Sequence, residues 1–248
     1  MISVVIPALN EEANIRGAVE TVIGAVKECG DTPPDIIIVN DGSKDRTGAI
    51  SDELAQQYPF VRVFHQPVNK GQGASILEAL NLAKYELLTM VPGDNELSYY
   101  TVKNLVLNRH KADYVLAMII NREYRSRGRI QLSSVFSHIY MTTFDLSIRY
   151  VNSPALWPVA RLREMGLRAQ RYSLHAEINV KLLRQPITFV EVDGYMSPAI
   201  GKSSALRLRN LAEVARAYLR LCYEVFVTKR EQYSHRATRV LPPGVINK

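Results

Sequence analysis

The sequence predicts an α/β fold: a mostly parallel sheet with helices on both faces, followed by C-terminal amphipathic helices. Three observations carry this prediction. Five short apolar runs in the first half each lead into a helix-like or polar stretch, and strands that are apolar throughout are those buried on both faces. The ends of the first four runs carry Asp, Asn, Glu, Lys or Gly beyond what a simple turn needs. Ligands of open α/β sheets sit beyond these carboxyl ends. The second half then changes to long helical periodicity.

Residues 2–6 form the first strand. Residues 11–28 read as a helix, with Ile15, Ala18, Val19, Val22, Ile23 and Val26 on one face. Glu11 and Glu12 fall in its first turn, where the helix dipole favours acids. Strands follow over 35–39, 61–64, 86–91 and 114–120, and helices over 45–58, 71–84 and 98–111. Long amphipathic helices over 130–149 and 205–227 bracket a shorter helix, 174–184, and a strand, 187–193. The tail after Gln232 contains Pro242, Pro243 and Gly244 and reads as poorly ordered. The chain therefore divides into a main domain over 1–203, a basic amphipathic helix over 204–233 and a flexible tail over 234–248.

The 248 residues are 47% hydrophobic and 22% charged. That suffices for a sizeable core and excludes a mainly disordered, collagen-like or coiled-coil chain. Two cysteines far apart, Cys29 and Cys222, argue against a disulfide framework and for a reducing compartment. The longest apolar run, 115–120, is far shorter than the roughly 20 residues that cross a bilayer, and no signal peptide precedes the first strand. The expected location is cytoplasmic, with no transmembrane helix. The net charge is +7, and residues 201–248 hold ten Lys/Arg against three Glu. Such a segment faces something anionic.

The four strand ends read Pro7-Ala8-Leu9-Asn10-Glu11-Glu12, Asn40-Asp41-Gly42-Ser43-Lys44-Asp45, Asn69-Lys70-Gly71-Gln72-Gly73 and Pro92-Gly93-Asp94-Asn95-Glu96. A lone Asp-Gly is usually only a turn; four polar ends on one sheet edge indicate a ligand site. The runs VVIPALNEEANI, IIIVNDGSKDRT, NKGQGASILEAL and PGDNE resemble glycosyltransferase family 2. The likeness is closest to its dolichol-phosphate mannosyltransferase-like, polyprenyl-phosphate branch and covers about residues 2–205. It implies the GT-A fold, a Rossmann-like, mostly parallel sheet. It also implies a nucleotide-sugar donor, a divalent metal (Mg²⁺ or Mn²⁺) and inversion at the anomeric carbon.

The resemblance implies roles residue by residue. Pro7, Ala8, Leu9 and Glu11 match the loop that cradles base and ribose, and Lys70 and Gly71 belong to the loop near the diphosphate. Asn40 and Asp41 stand where the family usually has Asp-Asp, its first Asp reading the base. An amide offers one donor and one acceptor, which suits uracil and favours UDP over GDP; the alternative is that Asn40 caps a turn. The family's Asp-X-Asp metal motif reads Pro92-Gly93-Asp94, so one carboxylate is lost. Asp94 is the expected metal ligand, and Glu96 a second ligand or substrate contact.

On the acceptor side, Arg122, Arg129 and Ser133 match the positions that bind a lipid-linked phosphate, a task suited to the planar guanidinium fork. The last family signature is weaker: Pro198 and Ser204 replace its Arg and Lys, Gly201 and Ser203 remain, and Lys202 offers charge from a shifted position. His175 and Glu177 either line the sugar site or hold their helix. A phosphate acceptor, its second pKa being about 6, needs no general base, whereas a hydroxyl acceptor needs one. The basic C-terminal helix either lies on an anionic membrane surface, making the protein peripheral to the cytoplasmic face, or packs on the main domain. Three other readings remain: a soluble or polymer hydroxyl acceptor, an inactive nucleotide-sugar binder, and a nucleic-acid binder, which no stacking motif or zinc spacing supports.

Overall fold

Continuous β-branched runs set the centre of the sheet. In the computed structural model, which describes residues 1–30, 33–124, 126–169, 171, 173–197 and 208–241, with side chains of the last helix from 212 onward, Ile36, Ile37, Ile38 and Val39 are all fully buried. Alternate residues point to opposite faces of a strand. Val4, Ile6, Ile36 and Ile38 therefore join one core with Val19 and Val102, while Val5, Ile37 and Val39 join the other with Ile76, Leu174 and Leu221. The predicted two-sided burial is what the structure has.

Among the described residues the eight strands are β1 (Ser3–Ala8), β2 (Asp35–Asn40), β3 (Val61–His65), β4 (Leu87–Met90), β5 (Tyr114–Ile119), β6 (Ala155–Pro158), β7 (Thr188–Gly194) and β8 (Thr238–Arg239). Their order is β3-β2-β1-β4-β6-β5-β7-β8. Every pairing is parallel except those of β6, which runs antiparallel to both β4 and β5. The helices are α1 (Ile15–Glu28), α2 (Thr47–Gln57), α3 (Gln72–Leu82), α4 (Tyr99–Leu107), α5 (Arg127–Phe144), α6 (Val159–Glu164), α7 (Ser173–Leu183) and α8 (Leu208–Tyr223). A π-helical turn, Glu224–Thr228, extends α8.

Three expectations need correction. The helix expected from residue 11 starts at Ile15, so Glu11 and Glu12 lie in the preceding loop. The Glu11 N–H donates to Thr47 Oγ1 (2.7 Å) and the Glu12 N–H to Asp45 Oδ2 (3.3 Å), bonds to the next loop that displace the helix start. The sequence also gave no sign of β6 and α6. β6 is four residues ending in proline, too short for a periodicity to register. Finally, the segment 234–241 is held by the fold and is no free tail. Tyr233 is fully buried, and the N–H groups of Thr238 and Val240 donate to the carbonyls of Ile187 and Phe189 at 2.8 and 2.7 Å.

The C-terminal helix packs on the domain. Tyr218 meets Tyr140 edge-on at 5.1 Å, its hydroxyl bonds Thr143 Oγ1 at 2.7 Å, and Phe226 stacks on Phe144 at 5.6 Å. Beneath lies an ion cluster. Lys181, fully buried, places Nζ 2.8 Å from Glu177 Oε1 and 3.0 Å from Glu224 Oε2, and Lys229 reaches Glu224 Oε1 at 2.8 Å. Among the described residues no helix is long and apolar enough to cross a membrane.

Candidate active site at the carboxyl end of the sheet

The first two loops are laced together. Asn10 adopts a left-handed φ of 58°, a conformation that Asn tolerates better than most residues. Its N–H donates to Ser43 Oγ (3.0 Å) and its Oδ1 accepts from the Lys44 N–H (2.8 Å). Pro7 and Ala8 lie in β1 beside Val39 and Asn40, and Leu9 is exposed at the rim.

Asp41 is spent inside the protein. Its Oδ1 accepts from the Lys70 N–H at 2.7 Å and its Oδ2 from the Gly71 N–H at 2.9 Å. The buried carboxylate thus clamps the loop ahead of α3, and the Lys70 side chain is left exposed. Two glycines make the clamp possible. Gly71 has φ 97°, and a Cβ on Gly42 (φ 72°) would lie 2.8 Å from the Asn69 nitrogen. Asn40 is also engaged. Its Oδ1 accepts from the Ser43 N–H at 3.1 Å and its Nδ2 lies 3.0 Å from His65 Nδ1. The turn-capping alternative for Asn40 is therefore realised, with half of the amide's bonding capacity used.

The loop after β4 presses against β1: a Cβ on Gly93 would stand 2.8 Å from the Pro7 carbonyl oxygen. Asp94 Oδ1 accepts from the Glu96 N–H at 3.0 Å. Asn95, left-handed at φ 56°, is tied to α1 by Thr21 Oγ1 at 3.1 Å. Glu11, Asp94 and Glu96 share one electrostatic environment. Burial raises the Glu11 carboxyl above its ordinary value, a bond from Asn14 Nδ2 offsets part of this, and the charges of Asp94, Asp45 and Glu96 add to the rise. Asp94 and Glu96 are hard oxygen donors, and Mg²⁺ in sites with one or two carboxylates completes its shell with substrate phosphates. Among the described residues there is no ready-made group of three His, Cys, Asp or Glu ligands.

On the far side, Arg122 Nη2 donates to Ser133 Oγ at 2.8 Å, and its guanidinium lies over the Tyr150 ring, 5.0 Å from the centroid. The structure thus brings Arg122 and Ser133 together. Arg129 turns instead towards the acidic loop, its Nη1 3.9 Å from Glu96 Oε1. Pro198, Gly201, Lys202, Ser203 and Ser204 lie outside the described residues. Glu177 belongs to the Lys181 cluster, and its Oε2 accepts from the Ala169 N–H at 2.8 Å. It holds the helix.

His175 is structural too: its ring packs against Trp157, tilted by 30° with centroids 5.3 Å apart, and its Nε2 is buried without a hydrogen-bond partner. Burial lowers its pKa from 6.5 to about 4. The unfolded chain then binds one more proton than the folded chain between these values, so stability is complete above about pH 6.5 and declines towards pH 4. Urea midpoints measured across this window should fall in the wild type and fall less in His175→Phe. Equal slopes would remove His175 from the effect.

Sequence reasoning missed Ser43, Thr47 and Asn95 as loop fasteners and His65 as the partner of Asn40. The polar spacing of the second loop signals Ser43 and Thr47. Nothing local marks His65, which reaches Asn40 only through strand pairing.

A mostly parallel sheet with an antiparallel β6 inserted, and polar loops gathered at its carboxyl end, has the GT-A architecture. The glycosyl transferase family 2 model matches residues 3–168. The chain belongs to that family. A dolichyl-phosphate beta-glucosyltransferase of Trichomonas vaginalis is 34% identical over 97 residues, 38% of this chain and 30% of that protein. A probable glycosyltransferase of Bacillus subtilis, YdaM, is 36% identical over 126 residues, 46% of this chain and 28% of that protein. The likeness thus spans under a third of either relative's length. Among solved structures, glucosyl-3-phosphoglycerate synthase from Mycobacterium tuberculosis, in complex with Mn²⁺, UDP-glucose and phosphoglyceric acid, superposes with TM-score 0.62 at 18% identity. That match covers 90% of this chain and 79% of that one. At this identity the match speaks for the fold.

Proposed function

We propose that the protein transfers a sugar from a nucleotide-diphosphate sugar, UDP-linked in preference to GDP-linked, to the phosphate of a polyprenyl or dolichyl carrier. The observation that carries this reading is the 3.9 Å approach of Arg129 to Glu96. It joins the acidic donor loop to the side that holds Arg122 and Ser133, so that two phosphate-bearing substrates can meet across it. The dolichyl-phosphate glucosyltransferase relative supports the lipid acceptor, and the UDP-glucose complex of the M. tuberculosis enzyme is consistent with the donor class.

In this mechanism an acceptor phosphate oxygen attacks the anomeric carbon in line, and the bond from that carbon to the donor's diphosphate oxygen breaks, its electron pair leaving with the nucleotide. Arg122, supported by Ser133, orients the acceptor phosphate, and the already ionised oxygen needs no base. Pro7, Ala8, Leu9, Glu11 and Asn40 hold the nucleoside, while Asp41 keeps Lys70 and Gly71 beside the diphosphate. Asp94 and Glu96 would hold Mg²⁺ or Mn²⁺, which supplies positive charge to the departing diphosphate. Residues 1–203 form the catalytic domain in this reading.

In the basic C-terminal segment, α8 and the π-helical turn after it face the membrane together with α5. Leu132, Val135 and Ile139 on α5, and Leu219, Tyr223, Phe226 and Val227 on α8 and its π-helical turn, are exposed. Arg127, Arg216 and Arg230 are exposed on the same elements or just beyond them. Apolar side chains flanked by cations suit an anionic bilayer surface and a lipid-bound acceptor.

Thermal unfolding with UDP, GDP or CDP, each with and without Mn²⁺, tests the donor side. UDP with Mn²⁺ at 100 times its dissociation constant should add about 2.7 kcal/mol. The acceptor side is tested by UDP-sugar turnover with polyprenyl phosphate in anionic vesicles. Stabilisation by no nucleotide would leave a binding or donor class other than this one, and turnover on soluble hydroxyl acceptors without lipid would replace the acceptor.

A further inference from the structure

We infer that His65, oriented by Asp52, locks the amide of Asn40 and thereby makes the site discriminate uracil from cytosine. This deepens the proposed donor reading and rests on it. The observation is a chain of three side chains on two strands and a helix. Asp52 Oδ1 on α2 lies 3.0 Å from His65 Nε2 on β3, and His65 Nδ1 lies 3.0 Å from Asn40 Nδ2 at the end of β2. Asn40 and His65 are register partners. The N-terminal turn of α2 reaches this pair through Gly48, where a Cβ would stand 3.0 Å from Asn40 Nδ2 and 3.6 Å from the His65 ring. Asp52 is the charged group facing the imidazole from α2; from β2 the facing group is the neutral amide.

The proton positions follow from the donors. Asn40 Oδ1 accepts from the Ser43 N–H, and turning the amide over would set Nδ2 against that N–H, two donors facing each other. The orientation shown puts Nδ2–H towards His65 Nδ1, which must then be the unprotonated nitrogen. Nε2 therefore carries the proton and donates to Asp52. A carboxamide has two acceptor lone pairs and two N–H donors. With one of each committed here, one of each is left, on an amide that is 7% exposed at the site floor.

This matters for the base. Uracil presents N3–H as a donor beside a carbonyl acceptor, and cytosine presents N3 as an acceptor beside an amino donor. An amide free to flip satisfies either pattern. An amide held from both ends satisfies one, and the wrong base leaves paired donors or paired acceptors in the site, a mismatch that costs heavily in discrimination.

The test is the ratio of dissociation constants for UDP and CDP, both with Mn²⁺, at pH 7.5. Effects on the shared diphosphate and metal cancel in the ratio. Wild type should favour UDP at least about tenfold. His65→Phe, at a half-exposed position, should bring the ratio down several-fold. His65→Gln, whose side-chain carbonyl can accept from Asn40 Nδ2, should keep the ratio. An unchanged ratio in a folded His65→Phe variant overturns the proposal while leaving the donor reading intact. Absence of binding by either nucleotide to the wild type overturns both.

Discussion

Lys181→Met should lower the melting temperature by roughly 6–20 °C. Lys181 is enclosed by α7, the loop before it and the π-helical turn after α8, with Nζ against Glu177, Glu224 and the Met165 carbonyl at 2.8, 3.0 and 3.3 Å. Removing one partner of a buried ion group leaves uncompensated charge and typically costs about 3–5 kcal/mol. For a domain of this size each kcal/mol shifts the midpoint by about 2–4 °C. Methionine keeps the volume, so the loss reports the charge and not a cavity. Burial works to raise the Glu224 carboxyl, but Lys229 and Lys181 outweigh it and hold it below its ordinary value. Its contribution is therefore present above the ordinary glutamate range and lost as the pH falls through the lowered value. The triple change Lys181→Met, Glu177→Gln, Glu224→Gln should recover part of the loss, because well-packed neutral groups replace buried ions at little cost. A shift under 2 °C in the single variant would mean that the cluster does not anchor α8.

Asp94→Asn should reduce turnover by roughly 100–1,000-fold, the usual loss when one group that stabilises developing charge is removed. Asp94 sits in the loop that Gly93 presses against β1 and that Asn95 ties to α1. The backbone there is held by neighbours on both sides, and the amide can still accept from the Glu96 N–H. The melting temperature without ligand should stay within a few degrees, while the Mn²⁺-dependent part of the nucleotide stabilisation disappears. Glu96→Gln should cost less, because Arg129 stands beside it and Asp94 remains. Retained metal-dependent stabilisation in Asp94→Asn would move the metal to other residues and remove Asp94 from the mechanism.

The core of the fold was legible because its signal is local. Runs such as Asp35-Ile36-Ile37-Ile38-Val39 can be satisfied only by burial on both faces, and all four apolar members are fully buried. The loop residues Asn10, Asn40, Asp41 and Asp94 were legible as a set, since polar residues at four strand ends converge on one edge in any parallel sheet. Their individual duties were not. Asp41 reads like a ligand contact and proves to be a clamp on the Lys70 and Gly71 amides, because those amides come from a loop 29 and 30 residues away in the chain.

What the sequence determined by itself was therefore the strand faces, the family and the edge on which the polar loops gather, all encoded in neighbours a few residues apart. Tertiary structure decided the rest. β6 enters the sheet between β4 and β5 with a signal too short to read, and the last strand exists only because β7 offers it carbonyls. The inner face of α8 is taken up by Tyr140, Phe144 and the Lys181 cluster, and only its outer face is left exposed. Asn40 became oriented when strand pairing brought His65 beside it. Each of these outcomes depends on which groups of distant sequence come within hydrogen-bonding or van der Waals reach, and local pattern carries no record of that distance.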